Sequence, residues 1–291
     1  AAWFGYDPAD ATAALRGAIA SGASTVVVPD MGSPWILSST VRLRSDLELI
    51  FEAGVRVQTA DGAFAGRGDC LFEAVDASRI RVSGYGAVWA MAGAAYAQAP
   101  YEDSQWRHAL SLRGVDDCSV AGLRIESSGG DGVYVGSSGA RGERFRRPCE
   151  DIVLRDLDLA RHRRQGISVI SARGLLVEGC RISETGGTPP AAGIDFEPNS
   201  GDSGFSACVV RDCVIRANEG PAILVALGRL GDDAPPLDLL IQSSVLRGRP
   251  IAFSLFAARA DHQGRIELRD CQVTGLRWTR PRGGVELVSS R

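Results

Sequence analysis

One four-residue pattern, small–apolar–any–apolar, returns along most of this chain and limits what it can become. It runs through Ala109–Leu112, Gly132–Val135, Gly166–Val169 and Gly193–Phe196. It continues, more weakly, through Ala222–Val225, Pro250–Phe253 and Gly284–Leu287. The first residues of these units stand 23 to 34 positions apart. A second pattern lies between them, at Ser119–Leu123, Val153–Leu157, Leu176–Cys180, Val209–Cys213, Leu240–Ser244 and Glu267–Cys271. Two strand signals in every unit of roughly thirty residues describe a stack of parallel coils, because no coil buries its apolar face alone and neighbours share one interior. Leucine-rich repeats need a tighter and more regular period. The 35 glycines and the short runs of Val, Ile and Leu agree with strands and turns rather than long helices.

Stacking the coils assigns columns. In the second pattern Leu123, Leu157, Cys180, Cys213, Ser244 and Cys271 share one position and are expected as an interior ladder. A metal or redox role is the sharper reading of its cysteines. A small buried hydrophobe at a tight bend is the plainer one, favoured by a column that accepts Leu and Ser as readily as Cys. The seven cysteines, an odd number, include no Cys-x-x-Cys pair and no zinc spacing.

In the first pattern the middle residues point outward: Ser111, Tyr134, Ser168, Asp195, Leu224, Ala252 and Glu286. Just before the small residue stand His108, Asp131, Gln165, Ala192, Pro221 and Arg249. Polar side chains therefore crowd the middle coils, which should lie about 4.8 Å apart. The densest stretch is Gly193–Asn199, where Ile194 and Phe196 take one face of a strand and Asp195 and Glu197 the outer face. Glycoside hydrolysis uses two carboxyls, one as acid to the leaving oxygen and one as base or nucleophile. Crowding of like charges keeps one of them protonated. Asp195 is the expected catalytic group, with Glu197 on the same strand or Asp131 two coils away as its partner. Tyr134, Gln165, Ser168 and His108 are candidate substrate contacts. The plainer readings are exposed acids paired with nearby arginines, a turn role for Asp131 after Gly129 and Gly130, and packing of the aromatic on a loop.

Two basic stretches flank this column. Arg141, Arg144, Arg146 and Arg147 follow the Tyr134 strand, and Arg161, His162, Arg163 and Arg164 lead into Gln165. Arg147 and Arg164, nearest the polar column, read as a clamp for the carboxylate or sulfate of an acidic glycan, or as solvated turn charges. A formal net charge of -3 gives no general affinity for nucleic acid or an anionic membrane, and no apolar run approaches a membrane span. The expected partner is a polysaccharide or oligosaccharide, with no cofactor.

At the N-terminus, Asp7-Pro8-Ala9-Asp10 opens a helix, with Asp as cap and Pro in the first position. Ala11, Ala14, Leu15, Ala18 and Ile19 form its apolar face, and Ser21-Gly22 ends it. Strands are expected at Thr25–Val28, Val41–Leu43 and Leu47–Phe51. The order Asp10, Thr12, Ala14, Leu15, Ala18, Ile19, Gly22, Val26, Val27, Val28, Pro29, Gly32 resembles the capping segment of pectin-lyase-like parallel β-helix proteins and covers about the first fifth of the chain.

That resemblance implies an all-β, right-handed parallel β-helix with a short N-terminal capping helix. Residues 1–60 would form the cap and first strands and run on into 61–291 as one domain. It also implies a carbohydrate-active protein, secreted or periplasmic. Hydrolases, lyases, epimerases and phage tailspikes share the fold, so the resemblance names no reaction. The Gly-His-Gly of polygalacturonases is absent, as is their Asp-Asp pair on a central outward strand. The Gly193–Pro198 strand is loosely similar to the Y-G-F-D-P-H strand of alginate C5-epimerases but lacks the histidine. A glycoside hydrolase is the first expectation. The alternatives are a lyase or C5-epimerase on a uronate polymer, where calcium could enter and Tyr134 or His108 would move the proton, and a non-catalytic glycan-binding β-helix.

Overall fold

The computed structural model describes residues 1–139, 147–231, 234–249, 251–256, 262–278 and 283–290. Within them the chain winds through three sheets whose strands all pair in parallel, successive coils adding strands to each sheet in turn. The first sheet has 11 strands, from Thr25–Val28 to Gly283–Ser290. The second has 9, from Trp35–Leu37 to Gln272–Val273, and the third has 9, from Val41–Arg42 to Leu276–Trp278. The interior is a column of apolar side chains to which every sheet contributes. Phe51, Phe72 and Trp89, one from each sheet, meet with ring centroids 4.2 to 6.0 Å apart.

The second repeat pattern forms the first sheet and stacks in the expected register. Ser119 pairs with Val153, Val153 with Leu176, Leu176 with Val209, Val209 with Leu240 and Leu240 with Glu267. Its fourth position makes the bend into the next sheet: Gly122, Asp156, Gly179, Asp212, Ser243 and Asp270 all have φ between 49° and 74°. Left-handed backbone crowds a Cβ against the next carbonyl, a cost that Gly avoids and a short polar side chain lessens. The residue after the bend turns back inside. Leu123, Leu157, Cys180, Cys213 and Ser244 are each 1% exposed, and the thiols of this ladder are free.

The first pattern forms the third sheet and keeps register through five coils: Leu110, Val133, Ile167, Ile194 and Ile223 follow one another as partners. Beyond that the expected register changes. Ile223 pairs with Phe253, so Leu224 stacks on Ser254 and not on Ala252. Residues 251–255 offer two alternating registers two positions apart, and the one adopted places Phe253 and Leu255 wholly in the core. Pro250 lies outside the described residues. The Gly284–Leu287 unit belongs to the first sheet, where Glu286 pairs with Arg265, while Leu276–Trp278 supplies the ninth strand of the third.

The N-terminal helix spans Thr12–Ala20, four residues later than the Asp-Pro signal suggests. Asp7 instead closes a local turn by accepting the Ala9 N–H at 2.8 Å, and Asp10 accepts the Thr12 N–H at 2.9 Å. Ala14, Leu15, Ala18 and Ile19 face the end of the solenoid and cover its first coil. Among the described residues no helix is long and apolar enough to cross a membrane.

Candidate active site

Three neighbouring strands of the third sheet, Val133–Gly136, Ile167–Val169 and Ile194–Phe196, bring Tyr134, Ser168 and Asp195 into one outward column. The residues before the small position also stack, since the Ala109 N–H bonds the Asp131 carbonyl and the Gly132 N–H that of Gln165. The glycines of the repeat are required by close approach. A Cβ on Gly166 would lie 2.2 Å from Ile182, and one on Gly193 2.2 Å from Ile215. With the backbone drawn in this tightly, the flanking polar residues are held in a compact group.

This group is far less open than an outward strand face suggests. Asp195 and Asp131 are both 0% exposed, and Gln165, Ser168 and His108 are buried with them. Burial here does not come from the strand, whose Ile194 and Phe196 fill the interior as expected. It comes from side chains that lie over the outer face. Gln165 donates from Nε2 to Asp195 Oδ2 at 2.9 Å, and its carbonyl accepts the Ala192 N–H at 2.8 Å. Arg164 then crosses the cluster. Its Nη1 lies 3.4 Å from Asp131 Oδ2 and 3.5 Å from Ser168 Oγ, and its Nη2 lies 3.2 Å from Glu197 Oε2. Glu197 remains partly open, with 28% of its side chain exposed. Asp195 Oδ1 and Asp131 Oδ1 are buried without a hydrogen-bond partner.

One guanidinium among three acids leaves an excess of negative charge in a desolvated place. Burial, then the charges of Glu197 and Asp131, raise the Asp195 carboxyl to about 8 against the pull of Arg164. Burial likewise raises Asp131 to about 6, opposed by Arg164 and by hydrogen bonding from Ser168. His108 goes the other way. Burial and the charges of Arg164 and Arg113 lower it to about 3, so its ring is neutral. Its Nδ1 accepts the Asp131 N–H at 3.1 Å, which assigns the ring proton to Nε2. The 3.2 Å approach of Nδ1 to Asp131 Oδ2 is therefore no ion pair. The Tyr134 ring stacks on this imidazole, centroids 4.8 Å apart and planes 16° from parallel.

The basic stretches divide. Arg164 is spent on the acids, so it is a bridge inside the cluster and not one arm of an open clamp. Arg161 turns to Glu126 on the second sheet and to Glu184 just past the end of its Arg181–Ser183 strand, and His162 is buried against Ser128 Oγ at 2.8 Å. Arg147 is exposed, its carbonyl accepting the Ser138 N–H at 3.0 Å just beyond the Tyr134 strand. Arg141, Arg144 and Arg146 lie outside the described residues. The bridging role of Arg164 was legible only as its position next to Gln165 in the stacked column. Among the described residues no group of three or more His, Cys, Asp or Glu is arranged to hold a metal ion. The three acids surround a guanidinium, whose charge opposes a cation such as calcium among them.

Residues 103–231 match the family model described as a right handed beta helix region. Over 96 residues the chain is 30% identical to the uncharacterized protein YclG of Bacillus subtilis (strain 168), covering 32% of this chain and 16% of that protein. The chain thus spans about one sixth of the length of that relative. Among solved structures it resembles a galactohydrolase whose name specifies galactose-4-sulfate and 3,6-anhydrogalactose-2-sulfate units. The TM-score is 0.61 at 14% identity, over 88% of this chain and 58% of the other. It also resembles an alginate lyase from Paenibacillus sp. str. FPU-7, with a TM-score of 0.57 at 13% identity over 94% of this chain and 96% of the other. With three stacked parallel sheets, a capping helix and these likenesses together, the chain has the fold of a right-handed parallel β-helix.

Proposed function

We propose that the chain acts on polysaccharides and hydrolyses a glycosidic bond at the Asp195, Glu197 and Asp131 cluster. The observation that carries this reading is the orientation of Gln165. Its carbonyl is taken by the Ala192 N–H, so its amide N–H must face Asp195 Oδ2. A proton on Asp195 then resides on Oδ1, the oxygen without a partner. A carboxyl that keeps its proton to about pH 8 and offers one uncommitted O–H suits the acid that protonates a leaving glycosidic oxygen.

As the C–O bond breaks, that proton passes to the leaving oxygen and Asp195 becomes a carboxylate in the field of Arg164. Glu197, ion-paired through Arg164 and partly exposed, serves as base to a water or as nucleophile at the anomeric carbon. Asp131 is the wider partner on the same guanidinium. Tyr134, backed by His108, offers an aromatic face beside the acids. Arg164 has both terminal nitrogens committed to carboxylates, which leaves it poorly placed to neutralise a uronate and favours hydrolysis over elimination. The likeness in fold to both a hydrolase and a lyase supports the polysaccharide reading in general and neither reaction in particular.

The depth of Asp131 and Asp195 favours a second reading, a glycan-binding β-helix that does not turn over. A screen against acidic and neutral polysaccharides that reads both reducing ends and unsaturated products separates the cases. New reducing ends without unsaturated product, lost in Asp195→Asn, are expected for hydrolysis. Unsaturated product would replace that reading with a lyase, and binding without turnover with a binding module.

A further inference from the structure

The outward column that carries the acids can be followed back to the cap. From Asp195 it passes through Ser168, Tyr134, Ser111 and Glu73 to Arg42, each the register partner of the next. Five strand-to-strand steps of about 4.8 Å put Arg42 about 24 Å from Asp195 along the solenoid axis. Arg42 lines a cavity of about 630 Å³ between the C-terminal half of the Thr12–Ala20 helix and the loop before Phe72.

The charge of this cavity is one-sided. Arg16, Arg42 and Arg44 line it against one carboxylate, Asp69, a surplus of two positive charges. Arg44 is fixed by donating to the carbonyls of Ile19, Ala23, Ser45 and Asp46, and Arg16 by donating to Thr40 and Ser39. Among the described residues neither has a carboxylate partner within ion-pair distance, so carbonyl oxygens and the Ser39 hydroxyl set their places without a direct counter-ion. Arg42 is the exposed member, its side chain 84% exposed and paired with Glu73 at 3.3 Å. Ile19 and Phe64 add apolar surface to the same lining. Between this cavity and Tyr134 stands Trp106, an exposed indole two residues before His108, with the Arg67 guanidinium 5.4 Å from its ring centre. On the other side of Asp195 the column passes Leu224 and Ser254, both buried and uncharged, and reaches an exposed arginine, Arg277, only on the last strand of that sheet.

We propose that the cap cavity is a distal subsite for the anionic groups of an acidic polysaccharide, reached along the Trp106 side of the sheet from the acid cluster. This rests on the polysaccharide reading above and adds its charge class and direction. A chain long enough to reach both places gains the contact with Arg42, whereas a short fragment held at Tyr134 and Glu197 does not. Sulfate and carboxylate are the groups a guanidinium recognises, and the contact weakens with salt.

The test is calorimetric titration of length-graded oligogalacturonates and sulfated galactan fragments, with neutral galactan fragments as control. It uses the wild-type chain, Arg42→Gln and Asp195→Asn. Long acidic fragments are expected to bind wild type more tightly than short ones. Arg42→Gln should weaken only the long acidic fragments, about threefold to fivefold, and Asp195→Asn should leave that length dependence in place. Arg42→Glu deepens the loss, and melting curves of both Arg42 variants verify the cap. Equal binding of long acidic fragments by wild type and Arg42→Gln overturns the subsite while leaving the polysaccharide reading intact. Arg42-dependent binding fully reproduced by inorganic sulfate overturns the polysaccharide as its occupant. Failure of every glycan to bind wild type overturns both.

Discussion

Gln165 decides which oxygen of Asp195 holds the proton. Its carbonyl receives the Ala192 N–H at 2.8 Å, and its amide must therefore donate to Asp195 Oδ2 at 2.9 Å. Oδ2 is thus an acceptor, and the proton that burial keeps on this carboxyl belongs to Oδ1. An amide that caps the next coil and orients an acid links the stability of the solenoid to the chemistry proposed for it.

Replacing Asp195 with Asn should abolish turnover, a loss of about 10²- to 10⁴-fold for removing a general acid, in a reducing-end assay. The same change should help folding at neutral pH. Folded, Asp195 keeps its proton to about 8, and unfolded it loses it near 3.8. The folded state binds the extra proton between those values, so its stability falls as pH rises through that window and levels off above about 8. Asp195→Asn should flatten this decline and melt at least about 2 °C higher at pH 8. Melting curves at pH 5 and pH 8 check it, and identical pH dependence in the two chains would remove Asp195 as its source.

Activity should fall above about pH 8 as the Asp195 acid ionises. The charge of Asp131 is one of the causes that raise Asp195. Asp131→Asn should therefore move the alkaline limb of the kcat profile to lower pH. A limb that stays in place would uncouple the two acids.

Gln165→Leu leaves Asp195 Oδ2 and the Ala192 N–H without their partner in a buried place. The expected cost is about 1–3 kcal/mol in denaturant unfolding. Losing a donor to the charged form should also move the alkaline limb upward, which a purely structural defect would not do.

Arg164→Leu removes the counter-charge shared by Asp131 and Glu197, two contacts of 3.4 and 3.2 Å. Breaking a mostly buried pair in this way should cost on the order of 3–5 kcal/mol. The cost should be smaller at pH 5 than at pH 8, because Asp131, at about 6, is then largely protonated. Arg164→Lys, with one compact charge in place of a fork, should recover part of the stability and little of the activity.

At the bend between sheets, Asp212 holds φ at 55°. Asp212→Gly should be tolerated, while a β-branched Asp212→Ile should destabilise the fold by about 1–2 kcal/mol. Thermal unfolding of the two variants separates the demand of the backbone from any role of the carboxylate.

Much of this molecule is written in local rules. The two repeats, their alternation and the bend residue one place before the Cys180 and Cys213 ladder follow from the period of a strand and the cost of a left-handed residue. They were enough to stack Tyr134, Ser168 and Asp195 in the correct column. Two things needed the tertiary structure. The last coils required a choice between registers two residues apart, which keep the same faces and are separated only by how Phe253 and Leu255 fill the core. The depth of the acids required knowing what lies over the outer face of a strand. Alternation says that Asp195 points away from the core, but Gln165 and Arg164, arriving from the preceding coil, decide that it meets an amide and a shared guanidinium instead of water. A strand determines its own two faces; only its neighbours determine which of them is buried.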